Sequence, residues 1–469
     1  KCAKCIWDQN CQLQKLAKEY GVFITRFPDR KKDRPITKLG PAIEFDATKC
    51  IDCDNCVEVC QRQAAHVYEV VGKASETQVT LTKPDQCIYC GQCVTHCPVG
   101  AIQGQGEWQQ VEEALTKKEK VLIAQCAPSI RSSLGEEFGL PAGEIVTGKM
   151  VAALRRLGFA KVFDVNLGAD FTSYEEAKEL KERFENQRFP MLTACCPAWV
   201  HFVEVFYPEF IPNLTTANSP FMCSGPVIKA YYSQLIGKQP KDITIVSVMP
   251  CTAKKFEAKR EEFRFEDGTP YIDHVLTTRE FAYILRRQGI DFQQLPEEKP
   301  DDPLGEYSGA GAIYGASGGV MESALRTAVE WITGQKPPSL EEFTPVRGQE
   351  GIKRAEIKVG QKILKVAVAA GTGHAQTLLE ELKKNPHAYD YIEIMACPGG
   401  CIGGGGQPVP TSPEIRKARA DALYKIDQGL PVRTCHENPS LQKVYRDFFG
   451  KNPELIEKLL HTSYKKGRI

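Results

Sequence analysis

Short apolar runs alternate with longer amphipathic stretches from about residue 106 to the end of the chain. Four runs are apolar along most of their length, at residues 121–124, 161–165, 243–248 and 364–369. Such runs are typical of strands covered on both faces, and the periodic segments between them predict helices, for example at 150–157 and 173–184. The pattern therefore predicts an α/β fold in which two lobes could clasp a site between them.

The N-terminal part of the chain follows a different pattern. Leu13, Leu16 and Tyr20 recur at helical spacing, and a stretch rich in proline and charge at 27–41 predicts a linker. Cysteines dominate the segment that follows, in which residues 65–68 and 78–81 suit short strands. We therefore expect a multidomain α+β and α/β protein, with an N-terminal cysteine-cluster segment and linker at 1–45, a ferredoxin-like domain at 46–110 and a large two-lobed α/β domain at 111–469.

Composition narrows the class of protein. The 469 residues carry a formal net charge of +1, which gives no field of one sign to attract nucleic acid. No window approaches the roughly 18 consecutive apolar residues of a membrane span. The 19 cysteines are an odd number, and their spacing is that of metal ligands rather than of disulfide partners. We expect a metal-binding protein of the reducing cytoplasm.

A cysteine motif occurs twice in the second region. Cys50-x2-Cys53-x2-Cys56-x3-Cys60 returns as Cys87-x2-Cys90-x2-Cys93-x3-Cys97-Pro98. Three cysteines at this spacing bind three corners of a [4Fe–4S] cluster, and the fourth binds the other cluster of the pair. Zinc ribbons use pairs and leave the third cysteine of each triplet unexplained. We predict two [4Fe–4S] clusters, one held by Cys50, Cys53, Cys56 and Cys97 and the other by Cys87, Cys90, Cys93 and Cys60.

Three further cysteines, Cys2, Cys5 and Cys11, stand at the start of the chain. A third [4Fe–4S] cluster is one interpretation, and a structural zinc site completed from elsewhere is the other. The spacing resembles that of iron–sulfur subunits of respiratory complex I, in which a histidine precedes the first cysteine by four residues. That position lies before Lys1, so the resemblance implies a truncated motif and a fourth ligand outside this chain.

Three cysteine segments lie far apart in the large domain. They read Thr193-Ala194-Cys195-Cys196-Pro197, Met249-Pro250-Cys251-Thr252-Ala253-Lys254 and Met395-Ala396-Cys397-Pro398-Gly399-Gly400-Cys401. Together with the cluster repeat, these segments resemble the signature loops of [FeFe]-hydrogenases, and the resemblance runs over essentially the whole chain. It implies reversible oxidation of H2 to protons and electrons at an H-cluster, which joins a [4Fe–4S] cubane to a di-iron subsite with carbonyl, cyanide and dithiolate ligands.

The resemblance also implies roles for single residues. The cubane ligands would be Cys196, Cys251, Cys397 and Cys401, with Cys401 as the bridge to the di-iron subsite. Cys195 would exchange a proton with the amine of the dithiolate, and Lys254 would pair with a cyanide. Four residues would complete the pocket: Pro128, Ser129, Met249 and Met395.

A proton route to Cys195 is predicted on one helix. Glu176 and Glu179 are three residues apart and therefore share one helix face. The resemblance makes them a proton relay, with Thr215 as its hydroxyl group and Arg183 at its exit. A glutamate pair on a helix is otherwise typical of a solvated surface, so this role depends on the resemblance.

One segment departs from the family. Phe221-Met222 follow Ser219-Pro220, where the family commonly has paired glutamines, and the detail of the distal pocket is therefore undefined. The glycine-rich stretch 309–315 lacks the spacing of a dinucleotide loop, so we predict no nucleotide site on this chain. Three cysteines remain as expected buried structural thiols: Cys126, Cys223 and Cys435.

We expect an iron hydrogenase whose clusters pass electrons to ferredoxin or to partner subunits. Those subunits could form an NAD(P)-linked, sometimes electron-bifurcating, complex or a formate-linked one, which implies a hetero-oligomer. The alternative is an H2-sensing relative with little turnover, although such relatives tend to lose the cysteine found here as Cys195. A third reading is an iron–sulfur assembly protein of similar fold, which would lack the complete di-iron pocket.

Overall fold

The computed structural model describes residues 11–22, 31–73, 76–336, 340–348 and 351–467. The strands are β1 Ile36–Leu39, β2 Ile43–Asp46, β3 Tyr68–Val71, β4 Gln78–Leu81, β5 Ile102–Gly104, β6 Val121–Cys126, β7 Lys161–Asp164, β8 Met191–Leu192, β9 Ile243–Met249, β10 His274–Thr277, β11 Gly351–Val359, β12 Lys362–Ala370 and β13 Tyr391–Met395.

The α-helices vary widely in length, and several short ones hold the loops of the large domain. They are α1 Gln12–Glu19, α2 Asn55–Arg62, α3 Gln92–His96, α4 Trp108–Lys117, α5 Thr147–Leu157, α6 Val165–Asn186, α7 Pro197–Phe206, α8 Pro220–Val227, α9 Ser233–Leu235, α10 Ala253–Glu257, α11 Thr278–Arg287, α12 Gly309–Ala312, α13 Gly319–Thr333, α14 Thr372–Lys384, α15 Pro413–Gly429, α16 Pro439–Val444 and α17 Glu454–Leu460.

The small cysteine-rich unit contains two antiparallel sheets. One has the order β1-β2-β5 and the other is the hairpin of β3 and β4. Strand β1 lies inside the predicted linker 27–41. It pairs with β2, which pairs with β5. Residues 36–45 therefore belong to the small unit, which the sequence analysis started at residue 46. The strand predicted at 65–68 begins only at residue 68, because Ala64 and His66 have positive φ angles that extended strands do not use.

The large domain has two four-stranded sheets. The first has the order β10-β9-β6-β7 with every pair parallel, and the second has the order β11-β12-β13-β8, in which only β11 is antiparallel to its neighbour. The predicted strands at 121–124, 161–165, 243–248 and 364–369 are confirmed as β6, β7, β9 and β12. Every residue of β9 and β13 is buried, which explains why apolar residues fill most of their length.

Helix α6 runs through the centre of the large domain. Its N-cap Asp164 accepts a hydrogen bond of 2.9 Å from the backbone N–H of Asn166. It packs on α8 at Gly168, where an added Cβ would lie 2.1 Å from the carbonyl oxygen of Pro220. This close approach requires glycine and fixes the helix that carries Glu176. In the described part of the chain, no helix is both long enough and apolar enough to cross a membrane.

Candidate active site and cluster-binding cysteines

One cavity is lined by residues from both lobes. Ala127 and Pro128 follow β6, the segment 249–251 ends β9, and the segment 395–397 ends β13. Carboxyl ends of parallel strands commonly meet at such a crevice in α/β folds. The lining also includes Cys195, Cys196, Phe221, Lys254, Tyr314 and Cys401. The three cysteine segments, distant in sequence, therefore meet at one place.

Four cysteines surround this cavity: Cys196, Cys251, Cys397 and Cys401. Burial raises the pKa of all four thiols, that of Cys251 to about 12. Among the described residues, no three acidic, histidine or cysteine side chains converge tightly enough to hold a single metal ion. A [4Fe–4S] cluster needs a wider arrangement, because each cysteine binds a different iron atom. The residues present therefore fit the cubane of an H-cluster.

The turn between Cys397 and Cys401 depends on two glycines. Gly399 and Gly400 have φ angles of +76° and +90°, a region that residues with a Cβ rarely adopt. A Cβ on Gly400 would also lie 2.7 Å from the backbone nitrogen of Ser317. The glycines therefore let the chain turn so that both cysteines face the cavity.

Lys254 brings a fixed positive charge to the cavity. Its Nζ donates hydrogen bonds of 2.7 Å to Oε2 of Glu257 and 3.2 Å to the carbonyl oxygen of Cys195. Burial alone would lower the pKa of Lys254, but the charge of Glu257 raises it, so the ammonium persists. The Phe221 ring centroid lies 4.5 Å from Nζ, in cation–π contact. The departure at Phe221 thus supplies an aromatic wall beside the lysine.

Cys195 lines the cavity, and Glu176 lies behind it, near enough for its charge to act on the thiol. Burial raises the pKa of the Cys195 thiol well above its usual value, and the Glu176 charge raises it further. Burial also raises the pKa of Glu176 to about 8, while Tyr391 donates a hydrogen bond of 2.8 Å to its Oε1. Near neutral pH both groups therefore hold their protons.

The second relay glutamate lies further out along α6. Oε1 of Glu179 accepts hydrogen bonds of 3.0 and 2.6 Å from Arg183. Its Oε2 accepts one of 3.0 Å from the backbone N–H of Thr216 and lies 3.3 Å from the Thr216 hydroxyl oxygen. The predicted hydroxyl residue, Thr215, is buried next to this contact and donates its backbone N–H to Leu192.

The remaining predicted pocket residues divide into two groups. Pro128, Met249 and Met395 line the cavity. Ser129 lies one layer back, where its Oγ accepts a hydrogen bond of 3.3 Å from Gln407, which also donates one of 3.2 Å to the carbonyl of Cys401. Ser129 thus contacts the loop of Cys401 through Gln407 and does not face the cavity.

The cysteines of the tandem repeat form two groups. A smaller cavity is lined by Cys50, Cys53, Cys56 and Cys97, together with Phe45 and Ile102. Backbone N–H groups donate to two of these sulfur atoms, from Asp52 to Cys50 at 3.3 Å and from Ala101 to Cys97 at 3.2 Å. Such hydrogen bonds to cysteine sulfur are typical of iron–sulfur sites. Cys97, the fourth cysteine of the second motif, thus lies with the first three cysteines of the first motif, as the sequence predicts.

The second group lies between the first and the main cavity. It contains Cys60, Cys87, Cys90 and Cys93, whose charges would interact with one another. Its loop contacts the main cavity directly: the carbonyl oxygen of Cys90 lies 4.0 Å from Sγ of Cys397, and the Thr252 hydroxyl donates 2.7 Å to the carbonyl of Tyr89. The three cysteine groups therefore lie in series.

Two further sequence predictions concern the N-terminal cysteine triplet and the cysteines outside the three groups. Cys2 and Cys5 lie outside the described residues, and Cys11 is the N-cap of α1. The expected structural thiols are buried, namely Cys126, Cys223 and Cys435. The stretch 309–315 is packed against α6, where a Cβ on Gly311 would lie 2.3 Å from the carbonyl oxygen of Asn166.

Sequence reasoning missed several buried polar residues around the site. Glu257 and Tyr391 hold Lys254 and Glu176, and Gln63 links the small unit to the large one through a 2.9 Å hydrogen bond to the carbonyl of Ala396. Glu257 could have been suspected from its i, i+3 spacing to Lys254. Nothing local in the sequence marks Gln63 or Tyr391, because their partners lie hundreds of residues away.

The fold and the cavity define an iron–sulfur oxidoreductase with one reactive site at the end of a cluster series. The family model "iron only hydrogenase large subunit, C-terminal domain" matches residues 120–405. The models "4Fe-4S dicluster domain" and "iron hydrogenase small subunit" match residues 49–101 and 413–467.

Individual relatives agree with these matches. The chain is 42% identical to the NADP-reducing hydrogenase subunit HndD of Solidesulfovibrio fructosivorans, over 99% of this chain and 82% of that protein. It is 40% identical to iron hydrogenase 1 of Clostridium pasteurianum, over 99% and 83%. The structure of [FeFe]-hydrogenase HydA1 from Chlamydomonas reinhardtii covers 77% of this chain and 99% of its own, with 36% identity and a TM-score of 0.68.

The chain belongs to the iron-only, or [FeFe], hydrogenase family. It is accordingly an oxidoreductase whose cofactors are an H-cluster and N-terminal [4Fe–4S] clusters.

Proposed function

We propose that this chain interconverts H2 with protons and electrons at the cavity between its two lobes. The observation that carries the proposal is the placement of Cys195, which lines the cavity together with Lys254 and the four cysteines Cys196, Cys251, Cys397 and Cys401. When bound, the H-cluster supplies the metal chemistry of H2 cleavage and formation. The protein orients that group, excludes water and moves the proton.

The residues around the cavity take distinct roles in this proposal. Cys195 holds and releases the proton at Sγ, and Glu176 exchanges it at its carboxyl group before Glu179, with Thr215 packed beside the route. Lys254 contributes a buried positive charge to an apolar cavity, where it counts for more than in water. Cys196, Cys251, Cys397 and Cys401 would hold the cubane of the H-cluster, and Cys401 would also hold its di-iron subsite.

The test is anaerobic H2 evolution from reduced viologen by protein with the di-iron group inserted. We expect Cys195→Ala to lose at least about a hundredfold in turnover, as expected when a positioned proton-transfer group is removed. The matched control is Cys435→Ala, which removes another buried thiol and should keep nearly full activity. A fully loaded parent that does not turn over would contradict the proposal and favour the H2-sensing alternative.

For the electrons, we propose transfer through the cysteine groups in series to partner subunits. The group containing Cys90 contacts the main cavity at Cys397, and the group containing Cys53 lies further out with that cysteine exposed. The similarity to HndD, whose name describes an NADP-reducing hydrogenase subunit, supports an NADP-linked partner over a formate-linked one. The protein would then act within a hetero-oligomer in the reducing cytoplasm.

The partner proposal predicts that H2 is oxidised on this chain and that NADP+ is reduced on another subunit. This chain alone, supplied with H2, should reduce viologen or ferredoxin but not NADP+. Adding a flavin-containing subunit that co-purifies with it should restore NADP+ reduction. Reduction of NADP+ by the isolated chain would contradict the proposal, and so would native purification as a monomer.

A further inference from the structure

The exit assigned to Arg183 is closed in this fold. Its guanidinium donates to Glu179 and also to three backbone carbonyls, those of Pro190, Asn213 and Leu214, and its side chain is buried. An arginine does not release a proton in proteins, because its pKa lies above about 12. Arg183 therefore holds Glu179 in place without passing its proton onward.

A second contact of Glu179 leads to a histidine, a side chain that commonly serves as a proton shuttle. Oε2 of Glu179 lies 3.3 Å from the hydroxyl oxygen of Thr216, and that oxygen lies 2.9 Å from Nδ1 of His461. Nε2 of His461 lies 3.3 Å from Oε2 of Glu175. These contacts form one line from the second relay glutamate through the exposed residue Thr216 to His461, whose side chain is 12% exposed.

The fold holds His461 firmly in this position. The chain after α17 runs antiparallel to residues 216–218, with backbone hydrogen bonds of 2.8 Å from Thr462 to Thr216 and 2.7 Å from Asn218 to Leu460. The Asn218 side chain adds a hydrogen bond of 3.1 Å to Leu459. A segment more than 240 residues away in sequence is thereby fixed beside the relay.

We propose that Thr216 and His461 form the outer end of the proton relay. The inference rests on the proposed function of Cys195, Glu176 and Glu179. In the outward direction, Glu179 gives its proton to Oγ1 of Thr216 while the Thr216 hydroxyl gives its own to Nδ1 of His461. The glutamate is left ionised, the hydroxyl is restored and His461 becomes an imidazolium, which releases a proton to solvent. The inward direction reverses each step, so H2 evolution uses the same groups.

Charged groups face His461 from two sides. Glu175 contributes a carboxylate that is buried and whose other oxygen accepts hydrogen bonds from Lys178, at 2.9 Å, and from Tyr445. The Glu179 carboxylate faces the imidazole through the Thr216 hydroxyl. The imidazole thus lies between two carboxylates, and Lys178 offsets part of the Glu175 charge.

The chain contains a matched control for His461. Nδ1 of His436 lies 3.0 Å from the hydroxyl oxygen of Thr327 and its Nε2 lies 3.3 Å from Oε2 of Glu330, so it has the same two kinds of partner, a threonine hydroxyl and a glutamate carboxylate. His461→Gln and His436→Gln should therefore perturb the fold alike. Only His461→Gln interrupts a line to Glu179.

The experiment measures H2 evolution and H2 oxidation of the loaded full chain between about pH 5 and 9. We expect His461→Gln to lose about tenfold in both directions, to lose the pH limb that an imidazole produces, and to regain activity with added imidazole. His436→Gln should match the parent throughout. If His461→Gln retains the parent's rates and pH profile, or if imidazole fails to restore its lost activity, the inference is overturned.

A second variant pair tests the hydroxyl group. Thr216→Val should lose activity without rescue by imidazole, whereas Thr216→Ser should keep most of it, because only serine preserves the hydroxyl. Equal activities of the valine and serine variants would overturn the inference. Loss of all activity in the parent chain would instead overturn the proposed function, since it precedes any change at Thr216 or His461.

Discussion

Tyr391 donates its hydroxyl hydrogen to Glu176 and thereby sets the pH at which that relay group ionises. The hydrogen bond favours the ionised carboxylate and opposes the effect of burial, which together place the pKa of Glu176 at about 8. Tyr391→Phe removes the donor and should raise this pKa by about one unit. Glu176 would then keep its proton to higher pH, and the alkaline fall in H2 evolution should move upward by the same amount.

The pH profile of H2 evolution with reduced viologen tests this prediction. Tyr389→Phe serves as the control, since the Tyr389 hydroxyl contacts Arg354 and Glu381 at the surface instead. The control should leave the profile unchanged. A profile that moves to lower pH in Tyr391→Phe would show that another group sets the alkaline limb.

At this scale the sequence carries local signals for ligands but not for long-range contacts. The cluster cysteines could be predicted because their spacing is local and specific to iron–sulfur chemistry. Thr216 could not be distinguished from Thr215, because both are hydroxyl residues at one point and only the fold decides which reaches Glu179. His461 carries no local signal at all, since its contact depends on a strand-like pairing with residues 216–218.

The loop that follows Cys401 packs directly on the loop of the repeat that carries Cys90. A Cβ on Gly405 would lie 2.6 Å from the carbonyl oxygen of Cys90 and 2.6 Å from Cα of Gly91. Gly405→Ala should push these loops apart at a cost of about 1–3 kcal/mol in stability. We expect viologen-linked H2 oxidation to fall several-fold, because the proposed electron route crosses this contact, while hydrogen–deuterium exchange from D2 into water persists.

The comparison of viologen-linked H2 oxidation with isotope exchange distinguishes a defect in this loop contact from a defect in the cavity. Gly429→Ala provides the control, because a Cβ at the end of α15 meets no atom within 4 Å. Equal losses of viologen-linked oxidation and of isotope exchange would indicate a general distortion of the cavity and would contradict the prediction.

The elements themselves were predictable where apolar pattern and backbone preference agree. Strands β6, β9 and β12 follow runs that are apolar along most of their length, and α5 and α6 follow helical periodicity. The predicted start of β3 at residue 65 was wrong. Residues after α2 adopt positive φ angles, and the backbone nitrogen of Val67 then lies 3.2 Å from Sγ of Cys60, to which it donates a hydrogen bond. The hydrogen bond to the predicted cluster ligand Cys60, rather than strand propensity, accounts for the backbone there.

The molecule as a whole depends on its clusters to different extents in its two parts. The core of the small unit includes the cysteines Cys50, Cys56, Cys60, Cys87 and Cys93, and it continues into the large domain at α7, α14 and β13. Small domains bury too little apolar surface to be stable alone and often use metals in compensation. The large domain has an extensive core around β6 and β9 that contains none of the predicted ligands.

Removal of all iron should therefore loosen the small unit first. Burial raises the pKa of Cys56 and Cys87 to about 12, so the apoprotein holds neutral thiols where the clusters bound thiolates. We expect amide hydrogen exchange in β2 and β5 to accelerate roughly hundredfold, about 3 kcal/mol of opening free energy, with little change in β9. Protein that lacks only the di-iron group is the control and should retain protection in β2. Equal acceleration in β9 would mean that the large domain also needs its cubane to fold, because Cys251 follows that strand directly.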